Sequence, residues 1–173
     1  EPGSGPGQLD QPWGICIDSS GDVLVADWRN DRIQKFAPDG KPIMQFGESG
    51  SLVGQLSRPS DVAVTDDQHI IVSDWGNERV QVFDTDGRFE LLLQGQATLS
   101  KWADDFFAAN PDEARVRAIA NLEPDLPDHL QTPYHIAAQT EPYFWGPTSV
   151  NIDADRHLYV TESARHRFQV YSF

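Results

Sequence analysis

The sequence predicts an all-β fold, a partial β-propeller of three blades, and three observations predict it. A unit is written three times: Ala26 to Phe36, Ser73 to Phe83 and, more loosely, Thr161 to Tyr171. The spacing is constant. Pro12, Asp27 and Phe36 each stand 47 residues before Pro59, Asp74 and Phe83, which each stand 88 before Pro147, Glu162 and Tyr171. Every copy also breaks into short β-rich runs separated by turn residues. A fixed period of this size marks units that bury their apolar faces only against neighbours. The second offset exceeds the first by 41 residues, which places an insertion between copies two and three.

Period-2 patterning resolves up to four strands per copy. Strand a covers Gly14 to Ile17, Asp61 to Val64 and Ser149 to Ile152, and strand b covers Val23 to Ala26, Ile70 to Ser73 and Leu158 to Thr161. Strand c covers Arg32 to Ala37, Arg79 to Asp84 and Arg167 to Ser172. Strand d is Pro42 to Phe46 and Phe89 to Leu93, and the third copy stops before it. Asp39-Gly40 and Asp86-Gly87 lie between c and d, where a tight hairpin needs residues that accept positive φ. The result is an antiparallel meander, and a meander repeated radially is a propeller blade. Blade one is expected over 7–47, blade two over 54–94, the insertion over 95–142 and blade three over 143–173.

Gly-Gln-Leu-x-x-Pro at Gly7 to Pro12 and Gly54 to Pro59, followed by Asp-x-x-Asn-x-Arg-Ile/Val-Gln-x-Phe, resembles the NHL-repeat family of β-propellers. The third copy departs from it, with Glu162 for Asp, Arg165 for Asn and only Gly146-Pro147 left of the leading run. Members of that family commonly have six blades, and three is fewer than a closed ring needs. Two expectations follow. The chain is a piece of a longer propeller, which its start without Met at an inter-blade loop favours, or two copies pair as homo-oligomeric half-rings.

The chain carries 13 Lys and Arg against 27 Asp and Glu, a formal charge of −14. Such an acidic protein repels phosphate backbones, so no nucleic-acid partner is expected. No apolar run is long enough for a membrane span. Localisation stays open between cytoplasmic and exported after processing. Cys16 is the single cysteine, read as a small packing residue of strand a.

In the insertion, Ser100 caps a helix bearing Trp102, Phe106 and Phe107, and Asn110-Pro111 with Glu113 forms a capping-box pattern for a second helix with Val116, Ile119 and Ala120 as its stripe. Their apolar residues are expected to pack on the propeller or a neighbouring chain. Pro124, Pro127, Pro133 and Pro142 then predict a loop carrying His129, Tyr134, His135, Tyr143, Phe144 and Trp145. Because strands alternate direction, the b–c loops and the d-to-a connections open on one face. The insertion is such a connection, and it projects over the mouth of the central channel, where propellers resembling this one bind ligands.

The repeated Asp27, Asn30 and Arg32, with Asp74, Asn77 and Arg79, read as loop-stabilising groups. The ligand-binding candidates are Trp28, Arg29, Trp75, Tyr134, His135, Trp145 and Arg165. Trp28 and Trp75 form a potential aromatic platform at the rim, and the others a lid region. The acidic a–b turns Asp18 to Asp22, Asp66-Asp67 and Asp153 to Asp155 lack calcium-loop spacing. His69 and His157 lie on the opposite face from His135. No zinc triad, nucleophile motif or cofactor is expected, and catalytic residues stay unassigned. The first functional reading is a scaffold holding a protein, peptide or small ligand on the mouth face. The alternatives are a propeller lyase or hydrolase with its site under the insertion near His135, Tyr134, Arg29 and Arg165, and an assembly subunit that completes a ring with another chain.

Overall fold

The structure, a computed structural model, describes residues 1–123 and 125–172. Pro124 of the predicted loop and Phe173, the last residue of predicted blade three, lie outside the described residues. The first blade is the meander β1 (Pro12–Ile17), β2 (Val23–Asp27), β3 (Arg32–Phe36) and β4 (Pro42–Phe46), hydrogen-bonded in that order. The second repeats it with β5 (Pro59–Val64), β6 (Ile70–Asp74), β7 (Arg79–Phe83) and β8 (Phe89–Leu93). The insertion carries α1 (Lys101–Ala109), α2 (Pro111–Ile119) and α3 (Pro133–Gln139). The third blade has three strands, β9 (Pro147–Ile152), β10 (His157–Glu162) and β11 (Arg167–Ser172).

The innermost strands begin two residues earlier than the patterning places them, because Pro12 and Pro59 already face Asp27 and Asp74 across a bulge. Gly40 and Gly87 turn the c–d hairpins at φ 83° and 76°, where a side chain would strain the backbone.

Alternation puts one face of each sheet against the next blade. Leu24, Ala26 and Ile33 of blade one meet Leu56, Val62, Ile70, Val72 and Phe83 of blade two in one core. Ala63, Ile71, Val80 and Val82 meet Phe144, Val150, Leu158 and Val160 in the other. Each fully buried aliphatic or aromatic side chain contributes about 1.5–3 kcal/mol relative to exposure. Cys16 is half-buried at the edge of the first core, where burial pushes its thiol pKa up. Gly14 is fixed by the approach of the inner strands: a Cβ there would come within 2.4 Å of Asp61 Cα.

The insertion differs from its prediction in three ways. Ser100 does cap α1, accepting from Ala103 N at 3.2 Å, but the Asn110 side chain donates to Phe106 O instead of capping α2. The helices do not lay their stripes on the propeller. Trp102 and Ile119 are 76% and 80% exposed, and Trp102 stacks on Phe106 at 5.9 Å while Arg117 lies over Phe107. Finally, a third helix stands where a loop is expected. Pro133 occupies its first turn, where a missing N–H costs nothing, and Thr132 Oγ1 accepts from His135 N. Proline acts here as a starter of helix, not a breaker. Phe144, expected in the loop, is fully buried in the second core.

Candidate functional site

The b–c loops and the connections beside them rest on a polar lattice built by the repeated motif. The buried Asp74 carboxylate accepts from Ser57 N at 2.7 Å, Asn77 at 2.9 Å, Arg79 Nε at 2.7 Å and Gln81 at 3.1 Å. Arg79 in turn donates to the carbonyls of Ser51, Leu52 and Gln55. Blade one copies this around Asp27, with Asp10 N, Asn30, Arg32 and Gln34, and Arg32 reaches Ser4, Gly5 and Gln8. In blade three the longer Glu162 substitutes for Asp. It accepts from Trp145 N at 3.0 Å, Arg167 Nε at 2.6 Å and Gln169 at 2.8 Å. These groups are consumed in folding each d-to-a connection against its own blade, so they present no chemistry at the rim.

A second device links one blade to the next. The b–c loops end on a left-handed residue at Asp31, Glu78 and His166, with φ of 51°, 55° and 52°. Asp31 accepts from Arg58 N of blade two, and Glu78 accepts from Gly146 N of blade three. Gly146 is the residue equivalent to Arg58, and both adopt positive φ. Glu78 is only 7% exposed. Burial, reinforced by the nearby Glu162, pushes its pKa from 4.5 up to about 7 against the opposing pull of the Gly146 N–H.

On this frame all the candidate residues but Arg29 fall into two groups. Trp28 and Trp75 come together, 6.4 Å between ring centroids, and Trp13 joins them, stacked on Trp28 at 5.1 Å and 6.5 Å from Trp75. Trp13 is 54% exposed and Arg58 lies over the Trp28 ring at 5.0 Å. Trp13 is absent from the sequence-derived set because its repeat equivalents, Ser60 and Thr148, carry no aromatic signal.

The second group gathers at blade three. Tyr134 meets His135 edge-on at 5.4 Å and Trp145 at 5.6 Å. Arg165 lies over Trp145 at 5.7 Å and donates to the carbonyls of Ala137, Ala138 and Thr140, closing the C-terminal end of α3. Its burial, with Arg167 beside it, lowers its pKa. His135 Nδ1 pairs with Thr132 Oγ1 at 2.7 Å, so the imidazole is engaged in the cap of its own helix. Arg29 is exposed and joins neither aromatic cluster.

The opposite face is held by the a–b turns. Asp153, Asp155 and His157 bring ligand atoms within 4.8 Å of one another. Asp153, however, accepts from His157 N, Tyr159 Oη and Asp155 N, and the bonds from His157 and Tyr159 hold its pKa down at about 2. His69 sits between Asp67 and Glu90 at 3.2 Å from each.

Residues 9–36 and 56–83 match the family described as NHL repeat. Over 34 residues the chain is 59% identical to the wech protein of Drosophila melanogaster, a stretch that is 20% of this chain and 4% of that protein. Over 38 residues it is 58% identical to lin-41 of Caenorhabditis elegans, 22% of this chain and 3% of that one. Among solved structures, the gluconolactonase XC5397 of Xanthomonas campestris superposes with a TM-score of 0.53 at 12% identity, over 90% of this chain and 36% of its own. At that identity the likeness is one of fold. No helix among the described residues is long and apolar enough to cross a membrane.

Proposed function

The first two blades of this chain carry NHL repeats, and from that premise we propose that it is a protein-binding propeller scaffold whose mouth face holds an extended segment of a partner. The observation that carries this reading is the indole cluster of Trp13, Trp28 and Trp75 at the junction of blades one and two, backed by Arg58. A large, partly exposed aromatic surface on rigid elements offers contact area at low entropic cost. The charge of −14 favours a protein partner over a nucleic acid. Tyr134, His135 and Trp145 flank the same face as secondary contacts, and Arg165 holds α3 in place beside them. Selection of a displayed random-peptide library on the full chain tests the reading. Enriched peptides are expected to bind a Trp13→Ala, Trp75→Ala double variant at least tenfold more weakly. Unchanged affinity in a folded variant overturns the platform.

A second reading, ring closure by another copy, has its own support. Ile15 and Ile17 on the outer face of blade one are 66% and 67% exposed, and Phe168 and Val170 on that of blade three are 64% and 48% exposed. By the repeat offsets these are the equivalents of Val62, Val64, Val80 and Val82, which sit in the two inter-blade cores. The end faces thus carry the side chains that interior junctions bury. Light scattering is expected to give twice the chain mass of 19.3 kDa, held on dilution. A monomer at all concentrations rejects pairing.

A further inference from the structure

The cavity roofed by α3 at the junction of blades two and three, about 300 Å³, is lined by Glu78, Asn77, Gln94, Gln131, Pro133 and Ile136 among others. We propose that it binds a primary ammonium carried on an aliphatic stem, the chemistry of a lysine side chain, with Glu78 as the acceptor. This does not depend on the indole platform.

The argument starts from the inter-blade link. In blade one, both oxygens of the equivalent Asp31 are used: Oδ1 accepts from Arg58 N and Oδ2 from Ser49 Oγ, each at 2.6 Å. The 47-residue offset maps Ser49 onto Gln96. There the chain has already departed into the insertion, and Gln96 N donates instead to Gln169 Oε1 at 3.0 Å and Tyr171 Oη at 3.1 Å. Glu78 keeps the homologous bond, from Gly146 N to Oε2, but among the described residues no donor reaches Oε1. In the second blade the insertion thus leaves one carboxylate oxygen of Glu78, a residue only 7% exposed, without the partner its equivalent has, and a cavity in front of it.

The charge and shape of the walls select the ligand. Arg79, the cation in the lining, is committed to Asp74 and three carbonyls. A single open oxygen suits a point charge better than the two-pronged guanidinium, which needs a pair of acceptors. Pro133, Ile136 and Ala137 give an apolar wall for a methylene stem, and Gln94 and Gln131 supply further polar atoms. A metal ion would need several converging anionic or imidazole ligands, and among the described residues Glu78 belongs to no such group.

The ionisable groups on the elements around Glu78 are Asp74 and Arg79 of its own blade, Glu141 and Tyr143 on the connection, Tyr134 and His135 on α3, and Glu162, Arg165, His166 and Arg167 of blade three. Asp74 is paired with Arg79 and Glu162 with Arg167. With Glu78 raised to about 7 by burial, its ionised fraction, and with it affinity for a cation, rises about tenfold from pH 6 to pH 8.

The test is calorimetric titration of the full chain with Nα-acetyl-lysine methylamide, pentylamine and the uncharged Nα-acetyl-norleucine methylamide. The lysine amide is expected to bind at pH 8, about tenfold more weakly at pH 6, and the norleucine amide not at all. Glu78→Gln should weaken binding at least tenfold at pH 8 and abolish the pH dependence. Should that variant fail to fold, Ile136→Trp, which fills the cavity while leaving Glu78 intact, must abolish binding. Preference for the lysine amide over pentylamine identifies a protein side chain as the source, and the reverse identifies a free amine. No binding of either amine at millimolar concentration, equal binding of the norleucine amide, or an unaffected Glu78→Gln variant overturns the site.

Discussion

Asp74→Ala is expected to cost about 3–5 kcal/mol in urea unfolding followed by circular dichroism, the range for breaking a buried ion pair by removing one partner. Its carboxylate is fully buried and gathers four donors from the connection, the b–c loop and strand β7. Without it, the 7%-exposed Arg79 retains its charge and its carbonyl acceptors but loses its counter-ion. The 50–57 connection that those bonds pin should loosen with it, which predicts protease cleavage there before elsewhere. Arg29→Ala, at an exposed site one residue from Trp28, serves as the reference and should stay within about 0.5 kcal/mol of the parent. A loss below 1 kcal/mol for Asp74→Ala would mean that the repeated motif is not the scaffold of the rim.

Stability should also fall as pH rises through neutrality, and Glu78 is the cause. Its folded-state pKa of about 7 lies above the ordinary 4.5, so the folded chain binds the extra proton between these values. The unfolded chain gives it up first, and unfolding therefore becomes easier as pH rises. The contribution present at pH 5 is largely lost by pH 8, a change on the order of 2–3 kcal/mol. Glu78→Gln keeps an acceptor for Gly146 N and has no proton to lose, so its unfolding free energy should be flatter by that amount over the same range. Asp153, held at about 2, adds stability above the ordinary carboxylate range and loses it only in acid, well outside the window. Parallel pH profiles for parent and variant would show that Glu78 does not titrate there.

The blades were legible because a meander of constant length repeats its turn residues, prolines and Asp-x-x-Asn-x-Arg-x-Gln run at fixed offsets. Asp27 and Asp74 are residue types that favour local bonds in turns, and both carboxylates accept from the Asn and Arg of their own loop. Four features left weaker traces. Pro133 has the residue type of a helix breaker, yet at a first helical turn it is well placed, and the capping Thr132 beside it is a modest signal. Trp13 lies outside the repeated unit, so its meeting with Trp28 depends on how the inner strand meets the rim. The inter-blade link is carried by Asp31 and Glu78, acidic residues at one repeat position whose partners are backbone N–H groups of the next blade, and backbone partners leave no mark in a sequence. Arg165 spends its guanidinium on backbone carbonyls, and such partners leave no mark in a sequence.

The most direct test of the binding reading is a map of the five indole N–H signals by two-dimensional NMR while the best peptide from the displayed library is added. The account predicts shifts for Trp13, Trp28 and Trp75, with Trp102 on α1 unmoved. Shifts confined to Trp102, with the other three unchanged, would place the partner on the helical hairpin and contradict the mouth-face platform.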